Sequence, residues 1–565
     1  MLQVEPIQAF DGFGAGQAQS LYSPFKENFY SQGMHRSQFG VTPGWNIAAD
    51  VDNGTLTHLV SNNWFAQGIF SGTGHIYAFD AGGRLYKTTL GSASWSEEHL
   101  SGVSSHGNGL IFDQKNRLLY ANDQQLGMTS DGVTFTDNWK DLTLSTTDFR
   151  PMDTYEDWVV IGNANQVALL NVTDDSIATD ALDFPSGFNV RCIKSGKNGI
   201  LIGANFNNRG VLILWDAQSV RSIAPWIWRN RNIQSIVPTD SGWIVITQQE
   251  ILLTDGYSVQ PLVSKLPDNF INTISIINSV LPQGADILAG NLVFWGLSAQ
   301  FNRQQGGLYI LNPNSKLLEF VPVSNGCTNG VTGGAILFDN KNTTHLSYIT
   351  SNPSKNYLGS LTNSNPSRAF LISEQLGQSD NEKVAEGVKL SFGVSPSQTT
   401  TPNLTFDVSV KICNARRNIF GWGVTNGSSA QPNLIQIDGS LSAGSSINKA
   451  QVGDEITILE GVNASQVRHV ASIANQGTNT ETWTLDSALP SDTEGSVHLN
   501  ISPFKLAKKF SLSNISELKE LYFDVQNRIK GKKFFVKILI ENLPTGFLPE
   551  LKSGQFIYDE LGVKR

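Results

Sequence analysis

The sequence predicts an all-β protein: a degenerate β-propeller followed by a β-sandwich that carries a small inserted β-barrel. Three observations lead there. Apolar residues recur at a period near two along almost the whole chain, the spacing of strands rather than helices. A loose unit of two apolar strands joined by a polar turn recurs between residues 50 and 376. The composition, with 52 Gly in 565 residues and only 16% charged residues, suits a chain rich in turns.

The length exceeds what one compact core accommodates, so several domains are expected. A net charge of −9 argues against general coating of nucleic acid. The N-terminal stretch MLQVEPIQAFDGFGAG has no basic region followed by an apolar one, so no signal peptide is read. No stretch approaches twenty apolar residues, so no membrane-spanning helix is expected. The expected site of synthesis is a cytoplasm.

Residues 1–48 are Gly-, Gln- and aromatic-rich with little periodicity, and read as an extended arm that packs on another part of the molecule or on a neighbouring subunit. Residues 49–376 read as the propeller. Successive repeat cores are HIYAFDAGGRLYKTTL at 75–90, GLIFDQKNRLLYAND at 109–123, DWVVIGNANQVALLNV at 157–172 and GILIGANFNNRGVLILWD at 199–216. GWIVITQQEILLTDG at 242–256 follows, then units starting at 286 and 333. Their spacing, on the order of 40–45 residues, is that of one four-stranded blade. Seven units close a ring, or six if one has been split wrongly; ordinary meanders or a large sandwich are the alternative. Neither WD dipeptides nor kelch motifs occur.

Residues 377–432 read as a polar linker (377–387) and the first part of the sandwich. Residues 433–501 form the inserted barrel, and 502–565 complete the sandwich. Leu404, Phe406, Val408, Val410 and Ile412 alternate with polar residues, as do Phe534, Val536, Ile538 and Ile540. Short helices are expected only at 368–378 and 516–521.

One turn, Thr129-Ser-Asp131-Gly132-Val-Thr-Phe135, resembles the Asp-box hairpin of sialidase-like propellers, one residue shorter. The resemblance implies a structural role: the Asp side chain binds turn amides and the aromatic packs beneath. Chemistry is harder to find. Gly12, Gly14 and Gly16 lack the strand and helix that a dinucleotide site needs. Cys192, Cys327 and Cys413 and the eight His show no metal-ligand spacing, and no cofactor is expected. Asp153, Glu156 and Asp157 offer carboxylates for glycoside hydrolysis but read as a solvated turn. Trp226 and Trp228 share one face of a strand and read as packing residues or as a glycan or protein contact. The basic concentration is Arg528, Lys530, Lys532 and Lys533, with Lys508 and Lys509 near in sequence. It reads as a solvated turn, or as a contact for an anionic partner such as a neighbouring subunit, DNA in a channel, or lipopolysaccharide.

The whole plan resembles bacteriophage tail structural proteins of the nozzle or tail-tip type. The arm SLYSPFKENFYSQGMHRSQFGVTPGW, the degenerate propeller, and the insert VGDEITILEG…VASIANQ…TWTLDSALP carry that resemblance. It implies a non-enzymatic virion component, made in the host bacterial cytoplasm. Such a protein pairs with copies of itself in a ring and with other tail proteins, and lines or closes the DNA exit. A receptor- or glycan-binding tail protein is the alternative, a polysaccharide hydrolase a more distant one.

Overall fold

The computed structural model describes residues 2–7, most of 30–52 and most of 64–561. The longest stretches outside the description are 8–29, 53–63, 264–282, 395–404 and 438–449, so Gly12, Gly14 and Gly16 fall outside it, as does Cys327. Among the described residues every regular element is a strand.

Among the described residues, seven four-stranded antiparallel sheets occur in succession, spanning residues 64–100, 109–141, 152–183, 189–229, 233–263, 285–322 and 331–362 (sheets 1 to 7). The seventh takes its fourth strand from far upstream: Asn46–Asp52 pairs with Ser354–Thr362, setting Ile47 opposite Leu361. The first strands of neighbouring sheets touch in chain order, and that of sheet 7 returns to that of sheet 1. The arrangement is propeller-like.

Burial on both faces explains why strands here read as near-continuous apolar runs. In Trp158–Asn163, Val159 and Ile161 pack with Leu119, Ala121 and Leu126 of sheet 2, while Val160 packs with Ile200, Ile202 and Val211 of sheet 4. The odd-and-even division repeats at each junction. Leu201, Leu212 and Leu214 meet Trp243 and Val245 of sheet 5. Sheet 1 meets sheet 7 through Phe65, Ile76 and Ala335.

Polar clamps supplement this packing where strand ends would leave backbone groups unpaired. The Asn205 amide donates to the Ile233 carbonyl and accepts from its N–H, both at 2.8 Å. Gln283 accepts from Phe65 N–H at 2.7 Å and donates to its carbonyl at 3.1 Å, while the Gln283 carbonyl accepts from Ile336 N–H. Three sheets thus meet at one glutamine. Arg150, fully buried, donates to Asn163 Oδ1 (2.7 Å) and to the carbonyls of Asp123 and Leu144.

Two further sheets face each other across one core. The seven-stranded sheet includes Lys383–Val394, Lys519–Asp524 and Pro549–Glu560; the five-stranded sheet includes Arg368–Ile372, Thr405–Asn414, Lys505–Ser513 and Phe534–Glu541. Val388, Leu390 and Phe556 of the first pack with Val408, Val410, Ile538 and Ile540 of the second. The expected arm is built into both. Leu2–Pro6 pairs with Pro549–Glu560, and Tyr30–Gln32 pairs with Arg368–Ile372. A six-stranded sheet lies between residues 421 and 502, and a bridge from Thr425 to Ile437 joins its two ends around a core including Ile456, Trp483 and Leu499.

Several expectations are corrected. No helix forms among the described residues of 368–378 or of 516–521: Arg368–Ile372 and Lys519–Asp524 are strands. Local helix preference is worth tenths of a kcal/mol per residue, and pairing on an existing sheet outweighs it. Residues 383–387, read as linker, belong to a central strand that pairs on both sides. The strand at 368–372 lies in the five-stranded sheet rather than ending the propeller at 376, and Asn46–Asp52 straddles the expected 48/49 boundary. The inserted sheet begins at Gly421, earlier than 433.

Candidate functional site

The Asp-containing turn joins the third and fourth strands of sheet 2, Gln125–Thr129 and Thr136–Asp141. Asp131 accepts from Val133 N–H (2.8 Å), Thr134 N–H (2.7 Å) and the Thr134 hydroxyl (3.0 Å). Thr129 Oγ1 accepts from Gly132 N–H at 3.0 Å. The Thr134 and Val133 amides hold the Asp131 carboxyl down at about 2. Gly132 has φ +72°, and a Cβ there would meet Tyr77 Oη at 2.8 Å, so both conformation and space require glycine. Phe135 stacks on the His99 ring at 4.2 Å.

The same device recurs at the same place in two further sheets, which the sequence reading missed. Asp216 accepts from Gln218 N–H, Ser219 N–H and the Ser219 hydroxyl at 3.0, 2.8 and 2.8 Å. Asp255 accepts from Tyr257 N–H, Ser258 N–H and the Ser258 hydroxyl at 2.9, 2.8 and 3.2 Å. The signal was Asp, any two residues, Ser or Thr, then an apolar residue: DGVTF, DAQSV, DGYSV. The Ser258 and Tyr257 amides depress the Asp255 carboxyl; at Asp216 burial raises it, but the Ser219 and Gln218 amides outweigh that. These carboxylates are committed to turn amides.

The basic residues do not form one patch. Lys508 and Lys509 lie opposite Val410 and Ser409 on an edge strand of the five-stranded sheet. Lys509 pairs with Asp407 at 2.9 Å and Lys508 lies over the Phe510 ring. Lys530 is on the seven-stranded sheet opposite Val384, and its carbonyl accepts from Asn414 Nδ2, four to five positions further along the strand, or about 13–17 Å. Lys533 Nζ donates to the Gly377 carbonyl at 2.5 Å, while Glu5 accepts from Gly377 N–H at 2.7 Å. Burial raises the Glu5 carboxyl, against that amide and the charges of Lys533 and Lys383. Lys533 is thereby engaged in tying the N-terminal strand to the turn at 377, whereas Arg528, Lys530 and Lys532 are exposed.

The remaining candidates separate as well. Asp153 accepts from Ser195 N–H of the next sheet at 2.6 Å, while Glu156 and Asp157 are exposed on the following turn. Among the described residues no group of three or more His, Cys, Asp or Glu is placed to hold a metal ion. Trp226 and Trp228 lie 5.8 Å apart by ring centroid, with Trp228 54% exposed.

No family model matches the chain, and no curated protein matches it. Among solved structures, it is similar to a catalytically inactive virginiamycin B lyase from Staphylococcus aureus with quinupristin, at 13% identity and a TM-score of 0.41, over 56% of this chain and 99% of that one. It is also similar to Saccharomyces cerevisiae Sqt1, at 12% identity and a TM-score of 0.34, over 56% of this chain and 98% of that one.

Proposed function

We propose that this chain is a structural component of a bacteriophage tail, a seven-bladed propeller joined to a β-sandwich with an inserted barrel. It assembles with copies of itself and with other tail proteins. The observation that supports a scaffold role is the course of the N-terminal segment. Its strands pair within both C-terminal sheets and supply the outer strand of sheet 7. Such stitching suits a part that must transmit load without coming apart. The tail assignment itself draws on the resemblance in arm, propeller and insert. In this reading the protein is made in the host cytoplasm and reaches its place by assembly into the virion.

The test is mass spectrometry of purified virions together with negative-stain microscopy of the isolated chain. Stoichiometric copies in virions and ring-shaped particles are expected; an abundant chain absent from virions would sink the reading. A receptor- or glycan-binding role is the second reading. The exposed rings of Trp228 and Phe206 favour it, and binding of the isolated chain to host cells or lipopolysaccharide would support it.

A further inference from the structure

Sheets 3 and 4 are neighbours of opposite charge. Residues 152–183 hold seven Asp and Glu and no Lys or Arg, whereas residues 189–229 hold six Lys and Arg against one Asp. The contrast reaches the outer strands. Asp180 and Asp183 are exposed on Ile177–Asp183, the fourth strand of sheet 3. Arg209 and Arg231 are exposed beside Ile227–Arg229, the three-residue fourth strand of sheet 4.

An aromatic cluster occupies the boundary. Phe184 and Phe188 come from the connection between the two sheets, and both are buried. Phe188 stacks on Phe206 at 5.4 Å and meets Trp228 edge-on at 6.1 Å; Trp226 contacts both Trp228 and Phe184. Gly187, at φ +93°, lets the backbone pass against Phe206, where a Cβ would come within 2.6 Å of the ring. The inner rings fix the outer ones, yet Trp228 remains 54% and Phe206 38% exposed. Anchored, solvent-facing Trp and Phe within a charged rim have the anatomy of an interface centre.

We propose that this face mates with the same face of a second copy of the chain, about a two-fold axis near Trp228. A two-fold contact sets residue i against j and j against i. An axis at the boundary therefore lays the basic rim of one copy on the acidic rim of the other, twice, with the aromatic rings sealed between. The adjacency of the opposite charges selects a second copy over a glycan, because only a surface carrying both signs in mirrored order complements it. The inference goes beyond the tail reading and does not rest on it.

Sedimentation velocity of the full chain tests this. The wild type is expected to dimerise, less so at high salt. Trp228→Ala is expected to weaken the dimer at least tenfold. Arg209→Glu with Arg231→Glu, and separately Asp180→Lys with Asp183→Lys, are each expected to give monomers with unchanged circular dichroism. Mixing the two reversed proteins should restore a dimer, since each then offers the other's missing sign. A monomeric wild type, a dimer indifferent to the reversals, or a mixture that stays monomeric overturns the proposal. Ring particles unaffected by the reversals would overturn this face while leaving the ring reading intact; a two-fold dimer of a chain absent from virions would do the opposite.

Discussion

At the residue scale, carboxylates in this protein diverge according to whether amides or apolar surroundings surround them. Asp131 keeps its charge because four donors converge on it, and that contribution is lost only as pH falls from its unfolded value toward about 2. Asp80 is the reverse. It is fully shielded from solvent, and burial pushes it up to about 7 against the amides of Arg84 and Gly82. Between its unfolded value of 3.8 and about 7, the unfolded chain has released a proton that the folded chain retains. Folding is therefore favoured at low pH and weakens as pH rises through that window, by at most about 1.4 kcal/mol per pH unit for one proton. Asp80→Asn retains an oxygen for the Arg84 amide, now at 2.8 Å. Its melting temperature, measured from pH 4 to 7 beside the wild type, should lack that downward component; parallel curves would refute the assignment.

At the element scale, the period of two was legible in a sandwich strand such as Thr405–Asn414, and the strands of the seven sheets were legible as short apolar runs set between polar turns. What escaped were elements defined by distant partners. Arg368–Ile372 carries residues acceptable to a helix and becomes a strand because Lys537–Glu541 offers it an edge. The recurrent Asp turn was legible in principle, but a template with fixed glycine concealed the copy at Asp216, where Ala217 takes φ +60° in glycine's place. The basic residues looked contiguous in sequence and separated because strand order, not chain order, sets their distance. A charged element no pattern announced joins the inserted sheet to the five-stranded sheet: Glu455 receives Lys411 and Lys537, the latter at 2.6 Å, with all three side chains at most 5% exposed. Glu455→Ala leaves two buried ammonium groups without that carboxylate and should cost about 3–5 kcal/mol. Combining Lys411→Met, Glu455→Leu and Lys537→Met should recover most of it. Chemical denaturation of the two variants checks both; equal losses would contradict the account.

At the scale of the whole molecule, closure of the ring of sheets depends on Asn46–Asp52, which covers the edge of Ser354–Thr362. A chain lacking residues 1–52 should expose that edge, with those covered by Leu2–Pro6 and Tyr30–Gln32, and aggregate with rising concentration, and a peptide of residues 1–52 should restore a monodisperse protein by light scattering. If the truncated chain stays monodisperse alone, the strand is dispensable. The same arrangement imposes an order on biosynthesis. During translation, residues 46–52 emerge long before residues 354–362, and residues 2–6 before residues 555–559. Both pairings are among the most distant in sequence that the chain can make, so their loop-closure entropy falls due late. Sheets 2 to 5, each made from one continuous run, can form as they appear, while the N-terminal strands stay unmated until their partners are made. Assembly with other copies that relied on both pairings would therefore begin only once synthesis is nearly over, which separates folding from self-association in time.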